Sequence, residues 1–247
     1  MVQTIKMGLI LMLITLVAGV CLSWVYSVTA PRIAEAERKA MVDALREVLV
    51  DEEGRSLEPL SYTPTPVPVG DGQVPSWRAE RGGKLMAVAF QTEQAGYQSR
   101  LKIMVGLDPQ GSILGLKIVS QAETPGLGAR TAEIASKDYI WQIFQRKEPT
   151  ETELIRPWFE EQFKGVSATK RIGIDKVSGE WATLDRAKRQ ELRGRNYVTA
   201  ITGATVSTTA VIKAINQVAA QVLETVRLQM MEPPEAATVS EEVEESA

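Results

Sequence analysis

The chain has 247 residues, 44% hydrophobic and 24% charged, with a net charge of −3; this is enough apolar material for a core, without the basic excess of a nucleic-acid surface. It has no histidine and one cysteine, Cys21, which excludes Ser-His-Asp and Cys-His catalytic groups, histidine-ligated zinc or haem, a disulfide framework and the ligand set of an iron–sulfur cluster. Any redox chemistry here calls for an organic cofactor.

No charged residue lies between Lys6 and Arg32. The intervening 25 residues, 7–31, are mostly apolar and exceed the roughly 20 that a helix needs to cross a hydrocarbon layer. Trp24 and Tyr26 stand near the far end, as in an interfacial aromatic belt. The length favours one uncleaved transmembrane helix in 1–31 over a cleaved signal peptide, whose best small-residue site, Val28 and Ala30, would leave Pro31 just after the cut. Lys6 precedes the span, whereas Arg32, Arg38, Lys39 and Arg46 follow it; charge counting alone would hold the large domain in the cytoplasm. Residues 32–75 read as a juxtamembrane helix and a Pro-rich linker or irregular edge. The helix continues out of the membrane with Ile33, Ala40, Met41, Leu45, Val48 and Leu49 on one stripe, and "PLSYTPTPVPVGDGQVP" follows.

Residues 76–231 read as an α+β domain with an antiparallel β meander and packed helices. "KLMAVAFQTE" is one strand. "RLKIMVGLD" alternates, with Leu101, Ile103, Val105 and Leu107 on one face, and "SILGLKIVSQ" places Leu114, Leu116 and Ile118 on one face. The short Pro/Gly turn between them makes a hairpin. A helical stretch follows at "TAEIASKDYIWQIFQ", and the aromatics of "WFEEQFKG" are candidate core anchors. Residues 165–196, polar and punctuated by glycine, show no clear period. The last helix begins after Thr205, with Val211, Ile215, Val218, Val222 and Val226 at spacings of four and three, and Pro233 and Pro234 stop it. The acidic tail, 232–247, lacks core-forming residues and reads as disordered.

Two loops carry candidate chemistry. "TGATVST", residues 202–208, opens the last helix, where unpaired N–H groups and the macrodipole favour a phosphate. Gly203 permits a tight turn, Ala204 keeps the approach open, and Thr202, Thr205, Ser207 and Thr208 add donors. Ordinary N-capping explains the same hydroxyls, and the lysine of a P-loop is missing. "AETPGLGAR", which follows the hairpin, can bring backbone against a flat ligand at Gly126 and Gly128, or merely turn the chain.

The two loops together, with "GYQSRLKIMVGLDPQGSILGLKIVS" before the first and "WFEEQFKG" between them, resemble the FMN-binding domain of Rnf-type electron transport complexes, above all their G subunit, over about residues 84–227. The C subunit of the sodium-pumping NADH:quinone reductase has a related domain and is the alternative within the family. The resemblance implies FMN attached covalently, as a phosphoester, to Thr205, the last hydroxyl of the [ST]-G-A-[ST] motif. Thr202, Gly203 and Ala204 would form the turn that presents it, and Ser207 and Thr208 would cap the helix or contact phosphate. Glu123, Thr124, Leu127 and Gly128 are candidates for ring or ribityl contacts. It further implies a flavin transferase that installs FMN and partner subunits in a bacterial or archaeal cytoplasmic membrane. The FMN domain would lie on the periplasmic side, against the charge count. The complex would couple ferredoxin:NAD electron transfer to ion movement. No residue would act as catalytic acid or base, and the chain alone would turn over no substrate. Two departures stand out: the family's usual aspartate six residues before the modified threonine is Thr199 here, and Gln121 and Ala122 stand where a histidine often precedes "ETPGLG". A flavin-free structural or assembly subunit, favoured by Thr199, and a membrane-bound sensor or maturation factor with the same domain are the competing functions.

Overall fold

A computed structural model describes residues 2–50, 61–70, 72–132 and 158–231. The expected linker start, the helix around "TAEIASKDYIWQIFQ" and the acidic tail lie outside, wholly or nearly so. Contacts divide the chain into two units, residues 1–44 and 45–247. The first is most of α1 (Val2–Val48), one unbroken helix that runs through Pro31. From Ile5 onward it is long and apolar enough to cross a membrane. Its hydroxyls turn back on the helix: Thr15 donates to Leu11 O, Ser27 to Ser23 O and Thr29 to Val25 O, at 2.8–3.1 Å. No polar side chain among these three is left without a partner, as a lipid environment requires.

The second unit is α+β, as the sequence pattern predicts. Its main sheet is antiparallel, in the order β1 (Ser61–Pro64), β4 (Ser76–Arg81), β5 (Lys84–Ala95), β6 (Arg100–Leu107), β7 (Ile113–Ser120). A small hairpin, β2 (Val67–Val69) with β3 (Gly72–Val74), accompanies it. The proline-rich stretch thus forms strands rather than a bare connection. Pro64 ends β1, an edge strand, where a missing N–H costs no ladder bond. In the predicted hairpin, Leu101, Ile103, Val105 and Leu107 are all fully buried. On β7 the register departs from simple alternation. Gly106 faces Gly115 but Leu107 faces Ile113, so Leu114 is the extra residue of a bulge and Ile113 takes the core position beyond it.

One face of this sheet carries α4 (Thr205–Met231), whose Val211, Ile215, Val222 and Val226 are fully buried. Beside it, α2 (Trp158–Glu161) and the turn after it insert Trp158, Phe159 and Phe163, the last two edge-to-face at 5.3 Å. The end of α1 meets the sheet so closely that a Cβ on Gly106 would lie 2.3 Å from the Val48 carbonyl oxygen, and one on Gly115 would lie 2.8 Å from Val48 Cα. Backbone cannot yield as a flexible side chain does. Gly106→Ala is therefore expected to destabilise the domain by about 3 kcal/mol, read as a lowered melting temperature of the full chain in detergent.

The segment without readable periodicity, 165–196, is ordered by long-range pairing. It holds β8 (Gly173–Asp175), a 3₁₀ turn (Trp181–Thr183) and α3 (Arg186–Gly194). Asn196, at φ +62°, enters β9 (Tyr197–Thr199), which pairs in parallel with β8. This pair delivers the chain to residue 200, just ahead of the hydroxyl-rich turn.

Candidate functional site

The turn before α4 is closed by local bonds. Ala204 N–H donates to Ile201 O at 3.0 Å, Thr208 N–H donates to Ala204 O at 2.9 Å, and Gly203 sits at φ +79°, a conformation that side chains disfavour. Thr205 is the first residue of the helix and is half-buried; its hydroxyl has one protein partner among the described residues, Ile201 O at 3.5 Å. The neighbouring hydroxyls behave differently. Ser207 and Thr208 are fully buried; Ser207 donates to Glu123 Oε2 at 2.8 Å and Thr208 Oγ1 accepts from Ile201 N–H at 3.4 Å. Of these three, only Thr205 is loosely held and partly open.

The "ETPGLG" loop meets this turn. Pro125 and Gly126, at φ +76°, occupy the middle of a tight turn in which Leu127 N–H donates to Thr124 O at 3.1 Å, as in a type II turn. Leu127 is then carried over Gly203: its Cδ2 lies 3.5 Å from where a Gly203 Cβ would stand. Leu127 and Val206 are 39% and 53% exposed and give the surface beside Thr205 an apolar character. Thr124 bonds through its hydroxyl to Gln98 Oε1.

Glu123 lies beneath the loop, not on its surface. It is 6% exposed and accepts from the backbone N–H groups of Tyr97, Gln98 and Ser99 and from the hydroxyls of Ser99 and Ser207, at 2.8–3.1 Å. A Cβ on Gly128 would lie 1.9 Å from its Oε2, so that position has room only for glycine. Burial alone would raise the carboxyl pKa, but the bonds from Ser99, Ser207, Gln98 and Tyr97 outweigh it and hold the value below the ordinary range. Glu123, Ser207 and Gly128 thus join the loop to the first turn of α4.

Two residues that the sequence did not mark hold the turn from the other side. Arg130 pairs with both oxygens of Glu180, at 2.9 and 3.1 Å, and also donates to Thr202 O at 2.6 Å; Glu180 Oε1 accepts Thr202 N–H at 2.9 Å. Burial would raise the Glu180 pKa, but the bonds from Arg130 and Thr202 bring it below the ordinary value. Glu180 lies 50 residues from Arg130 in the segment without a readable period, so only the position of Arg130, directly after "ETPGLGA", could have hinted at the pair. Glu180→Ala is expected to speed hydrogen exchange at the Thr202 amide about tenfold, as loss of a partly exposed, charge-assisted bond implies, with Glu180→Gln intermediate.

Thr199, in place of the family's aspartate, is fully buried. Its N–H and hydroxyl bond to Gln162 Oε1 at 2.8 and 3.1 Å, and Gln162 Nε2 has no partner among the described residues. Thr199 is part of the interior under the turn, not of an exposed recognition surface.

A cleft of about 390 Å³ opens beside Thr205, lined by Ala95, Lys176, Thr205, Val206, Thr209 and Lys213, among others. These features fit a flavin phosphate: an open hydroxyl at a helix N-terminus, an apolar surface for a ring, and lysines for the anion.

The FMN-binding domain family model matches residues 96–220, and the model of the RnfG N-terminal region matches residues 2–48. The G subunit of the ion-translocating oxidoreductase complex of Cereibacter sphaeroides is 32% identical over 133 residues, 54% of this chain and 60% of that protein. Its counterpart in Stutzerimonas stutzeri is 33% identical over 138 residues, 56% and 58% of the two chains. The G subunit of the proton-translocating ferredoxin:NAD(+) oxidoreductase complex of Clostridium ljungdahlii is 29% identical over 131 residues, 53% and 62%. The match to each of these relatives therefore spans about three fifths of its length. Two solved structures are similar at lower identity. One is the C subunit of the Na(+)-translocating NADH-quinone reductase of Parabacteroides distasonis, at 22% identity and TM-score 0.39 over 61% of this chain and 63% of that one. The other is NqrC of Shewanella oneidensis, at 16% and 0.44 over 68% and 70%. With both the N-terminal region and the flavin domain matched in order, the chain belongs to the G-subunit family of Rnf-type complexes, within the FMN-binding domain family.

Proposed function

We propose that this chain is a membrane-anchored electron-carrier subunit of an Rnf-type complex, holding FMN through a phosphoester to Thr205. The observation that carries the reading is the contrast among the hydroxyls of the turn. Ser207 and Thr208 are buried on protein partners, whereas Thr205 stands at the mouth of a cleft, at the positive end of a 27-residue helix. Bound FMN supplies reversible uptake and release of one or two electrons. The chain's own residues hold and orient. Thr205 fixes the phosphate, Gly203 and Ala204 let it approach, and Leu127 and Val206 offer apolar contact to the ring, with Thr124 and the Gly128 backbone behind. Glu123 and Ser207 tie the two loops together from below, and Thr202 is fixed by Arg130 and Glu180.

Partner subunits of a membrane complex, ferredoxin:NAD electron transfer coupled to ion movement, and a flavin transferase complete this reading, as does a periplasmic position for the domain. The buried Thr199 supports it over a flavin-free scaffold, because the substitution alters the interior and leaves the surface of the turn intact. Intact mass of the chain co-produced with its flavin transferase tests it: the expected result is a gain of FMN less water, mapped to the peptide containing Thr205. A chain that remains unmodified would sink covalent attachment. A reporter fused after residue 231 that is active only in the cytoplasm would overturn the proposed side.

A further inference from the structure

The cleft beside Thr205 carries positive charge that is uncompensated among the described residues. Lys176 and Lys213 both line it, and no carboxylate does. Neither lysine makes an ion pair or hydrogen bond among the described residues. The acids nearest in sequence are occupied elsewhere. Asp175, next to Lys176, accepts from Val177 N–H and Ser178 N–H at 2.8 Å each and from the Ser178 hydroxyl at 3.1 Å. Glu93, one residue before the cleft's Gln94, lies within 3.6 Å of Lys102 and 3.9 Å of Arg100.

Both lysines are also positioned by rigid elements. Asp175 pairs with Thr199 in the β8–β9 register and its carbonyl accepts Ala200 N–H at 2.9 Å, so Lys176 emerges beside the strand that leads into the turn. The Asp175 carboxylate closes the loop that follows, which fixes where Lys176 leaves the backbone. Lys213 stands two turns into α4, following Thr205 and Thr209 at spacings of four, and helix side chains lean towards the N-terminus, here towards Thr205.

Two ammonium groups that are unpaired among the described residues and line one cleft with an open hydroxyl at a helix start attract a phosphoryl group more than any neutral ligand. We infer that Lys176 and Lys213 are the phosphate-binding pair of the flavin site, holding the phosphate of FMN at Thr205 whether or not the ester has formed. The inference rests on the proposal that FMN occupies this site, and adds which groups recognise its anion.

The full chain, made without the flavin transferase, is titrated in detergent with FMN and with riboflavin, which lacks the phosphate, and flavin fluorescence is followed. The wild-type chain is expected to prefer FMN by about tenfold, the scale that two partly exposed charge contacts support, and the preference should shrink as salt rises from about 50 to 300 mM. Lys176→Gln with Lys213→Gln should bring the two flavins to equal affinity, and the paired arginine substitutions should keep most of the preference. Absence of an FMN preference in the wild-type chain, or its survival in the double glutamine variant, would overturn the inference. Covalent attachment is read separately, as the mass gain at Thr205. Lysine-dependent FMN binding without a mass gain would keep this inference and sink attachment; a mass gain with lysine-independent binding would do the reverse.

Discussion

Thr205→Ala is expected to abolish the FMN mass gain and in-gel flavin fluorescence completely, while leaving the fold in place. The chemistry is all-or-none because a methyl group cannot form the ester. The neighbouring hydroxyls are poor substitutes for separate reasons. Ser207 is held by Glu123 at 2.8 Å, Thr208 is fully buried, and Thr209 donates to the Thr205 carbonyl one turn further on, at 2.7 Å. Thr202 lies within the turn, with its backbone fixed at both N–H and carbonyl by Glu180 and Arg130. The structural cost should be small. The Thr205 hydroxyl has only its 3.5 Å contact to Ile201 O among the described residues, so the change in stability should stay within about 1 kcal/mol, the range of ordinary end-of-helix hydroxyl losses. Thr205→Ser keeps the oxygen and should restore modification. A mass gain that persists in Thr205→Ala would place attachment elsewhere.

The largest stability effect is expected at Glu123. Its carboxylate receives five hydrogen bonds from two stretches, four from the 97–99 turn and one from the first turn of α4. Glu123→Ala leaves these donors facing a void, and about 3 kcal/mol or more should be lost, since each orphaned buried donor costs about 1–3 kcal/mol. Glu123→Gln tests charge and acceptor count at nearly constant volume. Whichever oxygen becomes an amide nitrogen then meets at least two donors, so the loss should remain near 2 kcal/mol. The pH dependence has a definite direction. The folded pKa lies below the ordinary 4.5, so the stabilisation is fully present above about 4.5 and is lost as pH falls through the lower folded value. Glu180, also lowered, acts in the same direction. Melting temperatures from pH 7 down to 3 should show a decline that is shallower in Glu123→Gln. An unchanged slope would mean that Glu123 contributes no pH-linked stability.

Several elements were legible because their information is local. The apolar run of α1, the alternation of β6 and β7 and the periodicity of α4 each lie within one stretch of chain; the stripe of α4 is buried, whereas the apolar run of α1 is exposed. The failures were also physical. Leu114 leaves the face of Leu116 and Ile118 that alternation predicts, because it falls at a bulge that depends on the pairing of β7 with β6. The strands of 61–74 were hidden by prolines that an edge position tolerates. Residues 165–196 have no period because their order comes from partners distant in sequence: β8 on β9, and Asn196 accepting Ser167 N–H at 2.8 Å.

The site divides in the same way. By itself, the sequence determined the glycine-containing turns and the helix that starts at Thr205, since turn geometry and helix capping each need only a few adjacent residues. Only the tertiary structure decided what each hydroxyl and charge does. It buried Glu123 against Ser207, 84 residues away, joined Arg130 to Glu180, and set Lys176 and Lys213 on one cleft. Hydrogen bonds and unpaired charge depend on distances of a few ångströms between segments far apart in the chain, and those distances exist only once the sheet and α4 have packed together.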